Sequence, residues 1–132
     1  MTASTRAAVE AYLDALNAGD GDRIASRVTE DFENEHTSTL GHGLHGRAAY
    51  RDRLPSFLEQ FSDLHYDVED LIVDGDRAAV AYRMTCRWQT DGGDRPVSIR
   101  GMFRFRVADG LIAHRVDYWD SADFQRQVAT SA

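Results

Sequence analysis

The sequence predicts an α+β domain. Its cone-shaped, curved antiparallel (mixed) sheet wraps about three N-terminal helices plus a short C-terminal helix and leaves an interior cavity. Two observations carry this. Apolar residues recur mainly at helical spacing in the first part of the chain, then alternate with period two after Ser62-Asp63. The alternating runs are joined by Asp74-Gly75-Asp76, Asp91-Gly92-Gly93-Asp94 and Asp109-Gly110, and strands joined by turns this short run antiparallel. A sheet curved over helices that do not fill it leaves a hollow suited to a small molecule.

Ser4 is placed to cap a first helix over Thr5–Asn17, where Val9, Leu13 and Leu16 share one stripe and Gly19 supplies the stop. A short second helix is expected over Asp22–Val28, broken by Thr29-Glu30-Asp31. Phe32–Thr37 reads as a strand, with Phe32, Asn34 and His36 on one face and Glu33, Glu35 and Thr37 on the other. The glycine-rich Ser38–Gly46 is expected to be a loop. A third helix is expected over Arg47–Phe61, with Tyr50, Leu54, Phe57, Leu58 and Phe61 as its apolar stripe. Pro55 interrupts it and predicts a kink or break, because proline has no N–H for the Arg51 carbonyl.

Strands follow over Leu64–Val73, Ala78–Gln89 and Val97–Val107. On the second of these, Val80, Tyr82, Met84, Cys86 and Trp88 share a face, and Arg83 and Thr85 lie on the other. The sequence allows either face to point inward. The last strand, Leu111–Asp120, places Ala113, Arg115, Asp117 and Trp119 together, and a short helix capped by Asp120 or Ser121 runs to about Val128.

The chain has 132 residues, enough for one domain over 1–132. Its formal net charge of −7 argues against a nucleic-acid surface. Cys86 is the only cysteine, so no intramolecular disulfide forms and a reducing, cytoplasmic location is expected. No apolar run approaches the length of a membrane span, and the polar N-terminus lacks a signal-peptide core.

Asp117 is the leading acid/base candidate. It is a carboxylate flanked by apolar neighbours near a strand end, with Arg115 two residues away on the same face. Burial raises such a pKa and the arginine lowers it. His36 is the second, since imidazole titrates near neutral pH. Asn34 and Arg115 offer polar contacts to a substrate, and Trp119 a pocket wall. His36, His42 and His45 lack a carboxylate or cysteine at ligand spacing, so no metal and no cofactor are expected.

Three stretches resemble the nuclear-transport-factor-2-like superfamily, and within it the SnoaL-like polyketide cyclases and ketosteroid isomerases. They are Y-L-D-A-L-N-A-G-D from Tyr12, G-R-A-A-Y from Gly46, and D-G-L-I leading to V-D-Y-W-D at Val116–Asp120. The resemblance covers roughly Val9 to Val128. It implies that Tyr12 donates to a substrate oxyanion as the isomerase tyrosine does. The isomerase base aligns with His36, and its second oxyanion donor with Gly101. Similarity to limonene epoxide hydrolase puts a catalytic aspartate at Asp117 and an arginine at Arg83, with Thr85 where that enzyme has a second aspartate. The cyclase pattern matches Asp117, Arg115 and Asn34.

Together these readings imply a cofactor-free acid/base enzyme acting on a small apolar carbonyl compound, with Asp117, His36 and Tyr12 catalytic and Asn34, Arg83, Arg115 and Trp119 substrate-binding. The alternatives are a non-catalytic small-molecule-binding or dimerisation module, and an epoxide hydrolase-like hydrolase. A homodimer is expected from the resemblance; nucleic acid and membrane are not expected partners.

Overall fold

The computed structural model describes residues 4–38 and 40–129. Met1–Ala3, part of the expected polar N-terminus, and the last positions of the expected 1–132 domain lie outside them. Among the described residues, four helices and a six-stranded mixed sheet form the α+β fold. The first helix, α1, spans Thr5–Ala18. The Ser4 side chain accepts from the Ala7 amide at its start, and Gly19 closes it with φ 68°, a conformation that costs glycine little.

The second helix, α2, is only Gly21–Ala25, capped by Asp20. The expected extension to Val28 is incorrect. Val28 instead opens strand β1, Val28–His36, which runs straight through Thr29-Glu30-Asp31. Val28 and Phe32 are fully buried, and a register irregularity between Val28 and Glu33 absorbs the residues between them. The loop expected over Ser38–Gly46 contains a two-residue strand, β2 (Leu44–His45), paired antiparallel to β1. Helix α3, Arg47–Gln60, continues through Pro55 rather than breaking. Pro55 and Arg51 both lie on the exposed side, where solvent can satisfy a carbonyl that has lost its partner.

The remaining strands are β3 (Phe61–Asp74), β4 (Arg77–Thr90), β5 (Gly93–Ala108) and β6 (Leu111–Tyr118), followed by helix α4 (Ser121–Val128). Asp120 caps α4 by accepting from the Ala122 and Asp123 amides. Strand order is β2-β1-β6-β5-β4-β3. Consecutive strands from β3 to β6 are antiparallel, and β1 joins β6 in parallel. That parallel pair puts the first strand of the chain beside the last.

The core lies between the concave face and the helices. On β4, Val80, Tyr82, Met84 and Cys86 are buried and Arg83 is exposed, which resolves the facing of the long strand. Its apolar side points inward. The α1 helix is tied to β3 by Asn17, whose side chain accepts from the Tyr66 amide at 2.7 Å and donates to the Tyr66 carbonyl at 3.1 Å. The amide side chain thus imitates one rung of a strand.

Candidate functional site

The parallel β1–β6 pair sets His36 directly beside Asp117, with the Thr37 amide donating to the Asp117 carbonyl at 3.0 Å. Side chains at matched positions of neighbouring strands share a face. Here both turn toward the hollow, and His36 Nδ1 lies 3.6 Å from Asp117 Oδ2. Asp117 is 5% exposed, so its carboxyl is almost wholly removed from water.

Each oxygen of Asp117 has its own surroundings. Tyr82, reaching across from β4, donates its phenol to Oδ1 at 2.6 Å. Arg115 Nη2 lies 3.5 Å from Oδ2, a long contact that leaves this oxygen the freer of the two. Burial raises the Asp117 pKa above the ordinary carboxylate value, while Arg115 and the Tyr82 hydrogen bond oppose the rise. Burial also pushes the Tyr82 phenol up, and the Asp117 charge adds to this. Tyr82 therefore remains a donor across the working pH range.

His36 is held neutral. Burial, then the nearby charges of Arg115 and Arg53, lower its pKa to about 3. Trp119 Nε1 approaches His36 Nδ1 at 3.2 Å. An indole N–H only donates, so Nδ1 accepts and the ring proton sits on Nε2. The 3.6 Å contact with Asp117 is consequently not an ion pair.

Arg115 is the cationic centre beneath the site. It is 4% exposed and lies over the Phe103 ring at 4.6 Å. Its Nη1 donates to the Tyr12 hydroxyl at 2.7 Å, and Tyr12 pairs with the Tyr50 hydroxyl at 2.6 Å. Burial works against the charge, but the oxygens of Tyr12, Tyr50 and Asp117 outweigh it and hold the pKa well above the usual value.

Two adjoining chambers open on these groups. The first is largely apolar: Phe57, Phe61, Met84, Trp119 and Phe124 line it around Asp117, Tyr82 and His36. About 60 Å³ is open to the centre of a water-sized sphere, room for several waters or a small organic group as the side chains stand. The second lies on the other side of His36 and Arg115, lined also by Asn34, His42, Tyr50 and Arg53.

The model of the SnoaL-like domain family matches residues 9–115. The chain belongs to the SnoaL-like domain family. Solved structures agree with that fold. A protein from Shewanella denitrificans, provisionally described as a SnoaL-like polyketide cyclase, superposes with TM-score 0.84 at 15% identity, covering 93% of this chain and 95% of that one. A provisional ketosteroid isomerase from Kribbella flavida is 29% identical with TM-score 0.69, covering 90% and 79%. An epoxide hydrolase of the limonene type from M. tuberculosis gives TM-score 0.80 at 20% identity, covering 96% and 90%. No curated protein matches the sequence significantly.

In this SnoaL-like chain, Asp117, His36, Arg115 and Trp119 come together around the first chamber, and Asn34 lines the second. Two sequence-derived placements need correction. Arg83 lies on the convex face, exposed and donating to Ser98 at 3.0 Å. Thr85 shares its side of the strand, so neither turns into the hollow, and the buried arginine of the site is Arg115 instead. Tyr12 is fully buried but lines neither chamber. It stands behind Arg115, whose Nη1 donates to its hydroxyl.

The residue the sequence reading missed is Tyr82, counted there only as part of an apolar face. The signal was Gly101, its direct partner across the β4–β5 ladder. A Cβ at Gly101 would sit 2.5 Å from the Tyr82 hydroxyl and 2.7 Å from the Tyr118 carbonyl oxygen. The phenol occupies the space that a side chain at position 101 would need. Gly41 plays a similar part for His36, since a methyl there would overlap the His36 Cβ.

Among the described residues the grouping with metal-like spacing is Glu33, Glu35 and His114, whose ligand atoms lie within 4.8 Å of one another. It sits on the opposite side of β1 from Asn34 and takes no part in the chambers. Among the described residues no helix is long and apolar enough to cross a membrane.

Proposed function

We propose that this SnoaL-like protein is a cofactor-free acid/base enzyme that moves a proton at carbon beside the carbonyl of a small, largely apolar substrate. The observation that carries this reading is the buried Asp117 carboxyl, raised in pKa, fixed at one oxygen by Tyr82 and open at the other to an apolar chamber. Groups displaced this way suit proton transfer near neutral pH. Oδ2 takes the proton from carbon. The neutral His36 ring presents Nε2–H to the substrate oxygen and stabilises the enolate charge. Return of the proton from Oδ2 to another carbon completes an isomerisation; attack by the enolate carbon on a second carbonyl, whose oxygen takes the proton back from Oδ2, completes a ring closure. Arg115 steadies the carboxylate before the proton arrives and after it leaves.

The test uses 2-tetralone, a ring-fused ketone with acidic hydrogens on the benzylic carbon beside its carbonyl, in deuterated water. Wild type should accelerate deuterium uptake at that carbon, and Asp117→Asn should lose most of the acceleration while binding the ketone as before. Equal exchange rates in the two proteins, or no acceleration in either, would leave a small-molecule-binding module as the better reading.

The protein is further proposed to work as a homodimer in the cytoplasm. The convex face exposes Ile72, Met102 and Tyr118, between 41% and 58% each. This replaces the long-strand face considered from the sequence, since Val80, Tyr82, Met84 and Cys86 lie in the core.

A further inference from the structure

We propose that the second chamber is a hydroxyl-binding subsite, in which Asn34 Oδ1 accepts from, and Arg115 Nε–H donates to, a hydroxyl of the ligand whose apolar ring lies in the first chamber. The inference rests on the reading that the first chamber takes the substrate, and it adds the chemical class of that substrate: a ring compound carrying a hydroxyl beside its apolar body.

The argument starts from two orphaned atoms. Asn34 is 6% exposed and Arg115 4% exposed, yet Asn34 Oδ1 and Arg115 Nε have no hydrogen-bond partner among the described residues. Buried polar atoms left this way are costly, about 1–3 kcal/mol each, and folded proteins rarely keep them without a use. Both residues line the second chamber. The other two guanidinium nitrogens of Arg115 each have a partner, Nη1 in Tyr12 and Nη2 in Asp117, so Nε is the nitrogen without one.

The pair selects its ligand. One orphan is an acceptor and the other a donor. A carboxylate only accepts and would set a second acceptor against Asn34 Oδ1. An ammonium only donates and would bring a second cation to Arg115. A hydroxyl does both. The two chambers adjoin along His36, Phe57 and Arg115, and Asn34 is paired beside Arg115 on the neighbouring strand; in the proposed pose the ring lies beside Asp117 and the hydroxyl beside Asn34.

The experiment compares para-cresol with para-xylene, which have the same shape and differ by hydroxyl for methyl. Affinities are read by amide chemical-shift titration. Wild type should bind para-cresol about three- to tenfold more tightly, the worth of an ordinary hydrogen bond. Asn34→Leu should shrink this preference, since only the Arg115 Nε–H remains to meet the hydroxyl. Asp117→Asn should keep the preference. The proposal is overturned if wild type shows no preference, meaning that water alone meets the orphaned atoms. It is also overturned if the preference survives undiminished in Asn34→Leu and vanishes in Asp117→Asn, which would place the hydroxyl in the first chamber. Should Asn34→Leu fail to fold, a crystal of wild type with para-cresol decides: the phenol oxygen beside Asn34 supports the subsite, and any other position removes it. These readouts are of binding, so their failure leaves the proton-exchange test of the proposed function standing.

Discussion

Tyr82 donates to Asp117 across two strands, from β4 over β5 to β6, at 2.6 Å. The intervening position on β5 is Gly101, and the missing side chain there is what lets the phenol reach. The hydrogen bond stabilises the charged carboxylate against the burial that disfavours it. Tyr82→Phe should therefore raise the Asp117 pKa further. In the tetralone exchange assay the rate should rise with pH later than in wild type, by roughly one unit or less, with stability lower by about 1–3 kcal/mol for the unmade bond. A rate profile unmoved along the pH axis would separate Tyr82 from the proton carrier.

Gly101→Ala should cost about 1–3 kcal/mol in urea unfolding, because the added methyl meets both the Tyr82 hydroxyl and the Tyr118 backbone oxygen. It should also mimic Tyr82→Phe in the pH profile, since the phenol must withdraw from Asp117. Wild-type stability in this variant would mean that the strand can shift to accept a side chain there.

His36 and Asp117 push the pH dependence of stability in opposite directions. The folded pKa of His36 is depressed to about 3 from 6.5, so its contribution is present above 6.5 and is lost as pH falls toward 3. Asp117 is raised, so its contribution is full below 3.8 and is lost as pH rises through the folded value. His36→Gln should lose less stability than wild type on acidification below about pH 6.5. Asp117→Asn should gain relative to wild type as pH rises. Chemical denaturation at a series of pH values checks both slopes, and parallel curves for all three proteins would contradict the assigned protonation states.

Tyr12→Phe tests whether that tyrosine orients or contacts. It lies behind Arg115, so the variant should destabilise by about 1–3 kcal/mol, leaving Arg115 Nη1 without its partner, while para-xylene affinity stays within about twofold. A large loss of ligand affinity with stability intact would restore Tyr12 to the chamber wall.

Met102→Glu or Ile72→Glu places a charge on the exposed apolar convex face. Light scattering should report a dimer for wild type and a monomer for these variants, with para-xylene binding retained. A monomeric wild type would remove the dimer proposal without touching the chambers.

Much of this architecture was legible in the sequence because its signals are local. Period-two alternation, aspartate-glycine turns and a serine cap each act over a few residues, and Leu111–Tyr118 formed where they pointed. The faces of His36 and Asp117 were legible for the same reason, since strand alternation assigns each side chain a face; that they meet depends on the parallel β1–β6 pairing. Val28 was misread because a β-branched residue at helical spacing from Ile24 is ambiguous until it is paired, here with Ile112 on β6. Arg83 was misplaced because alternation gives two faces without saying which is inward, and only burial of the Tyr82 side against the helices decides that. Tyr12 lies on the buried stripe of its helix, but the distance from a stripe to a cavity depends on which side chains stand between, in this case Arg115. The hydrogen bond from Tyr82 depends on an absence at Gly101 on another strand, a signal visible only once the β4–β5 register is known.

The most direct measurement is a titration of the Asp117 side-chain carbon by NMR, with the carboxyl of aspartate isotopically labelled and Asp117→Asn used for assignment. The account predicts a midpoint above the ordinary aspartate value of about 3.9, moving higher still in Tyr82→Phe. A midpoint at or below that value, as for a solvated or simply ion-paired carboxylate, would contradict it.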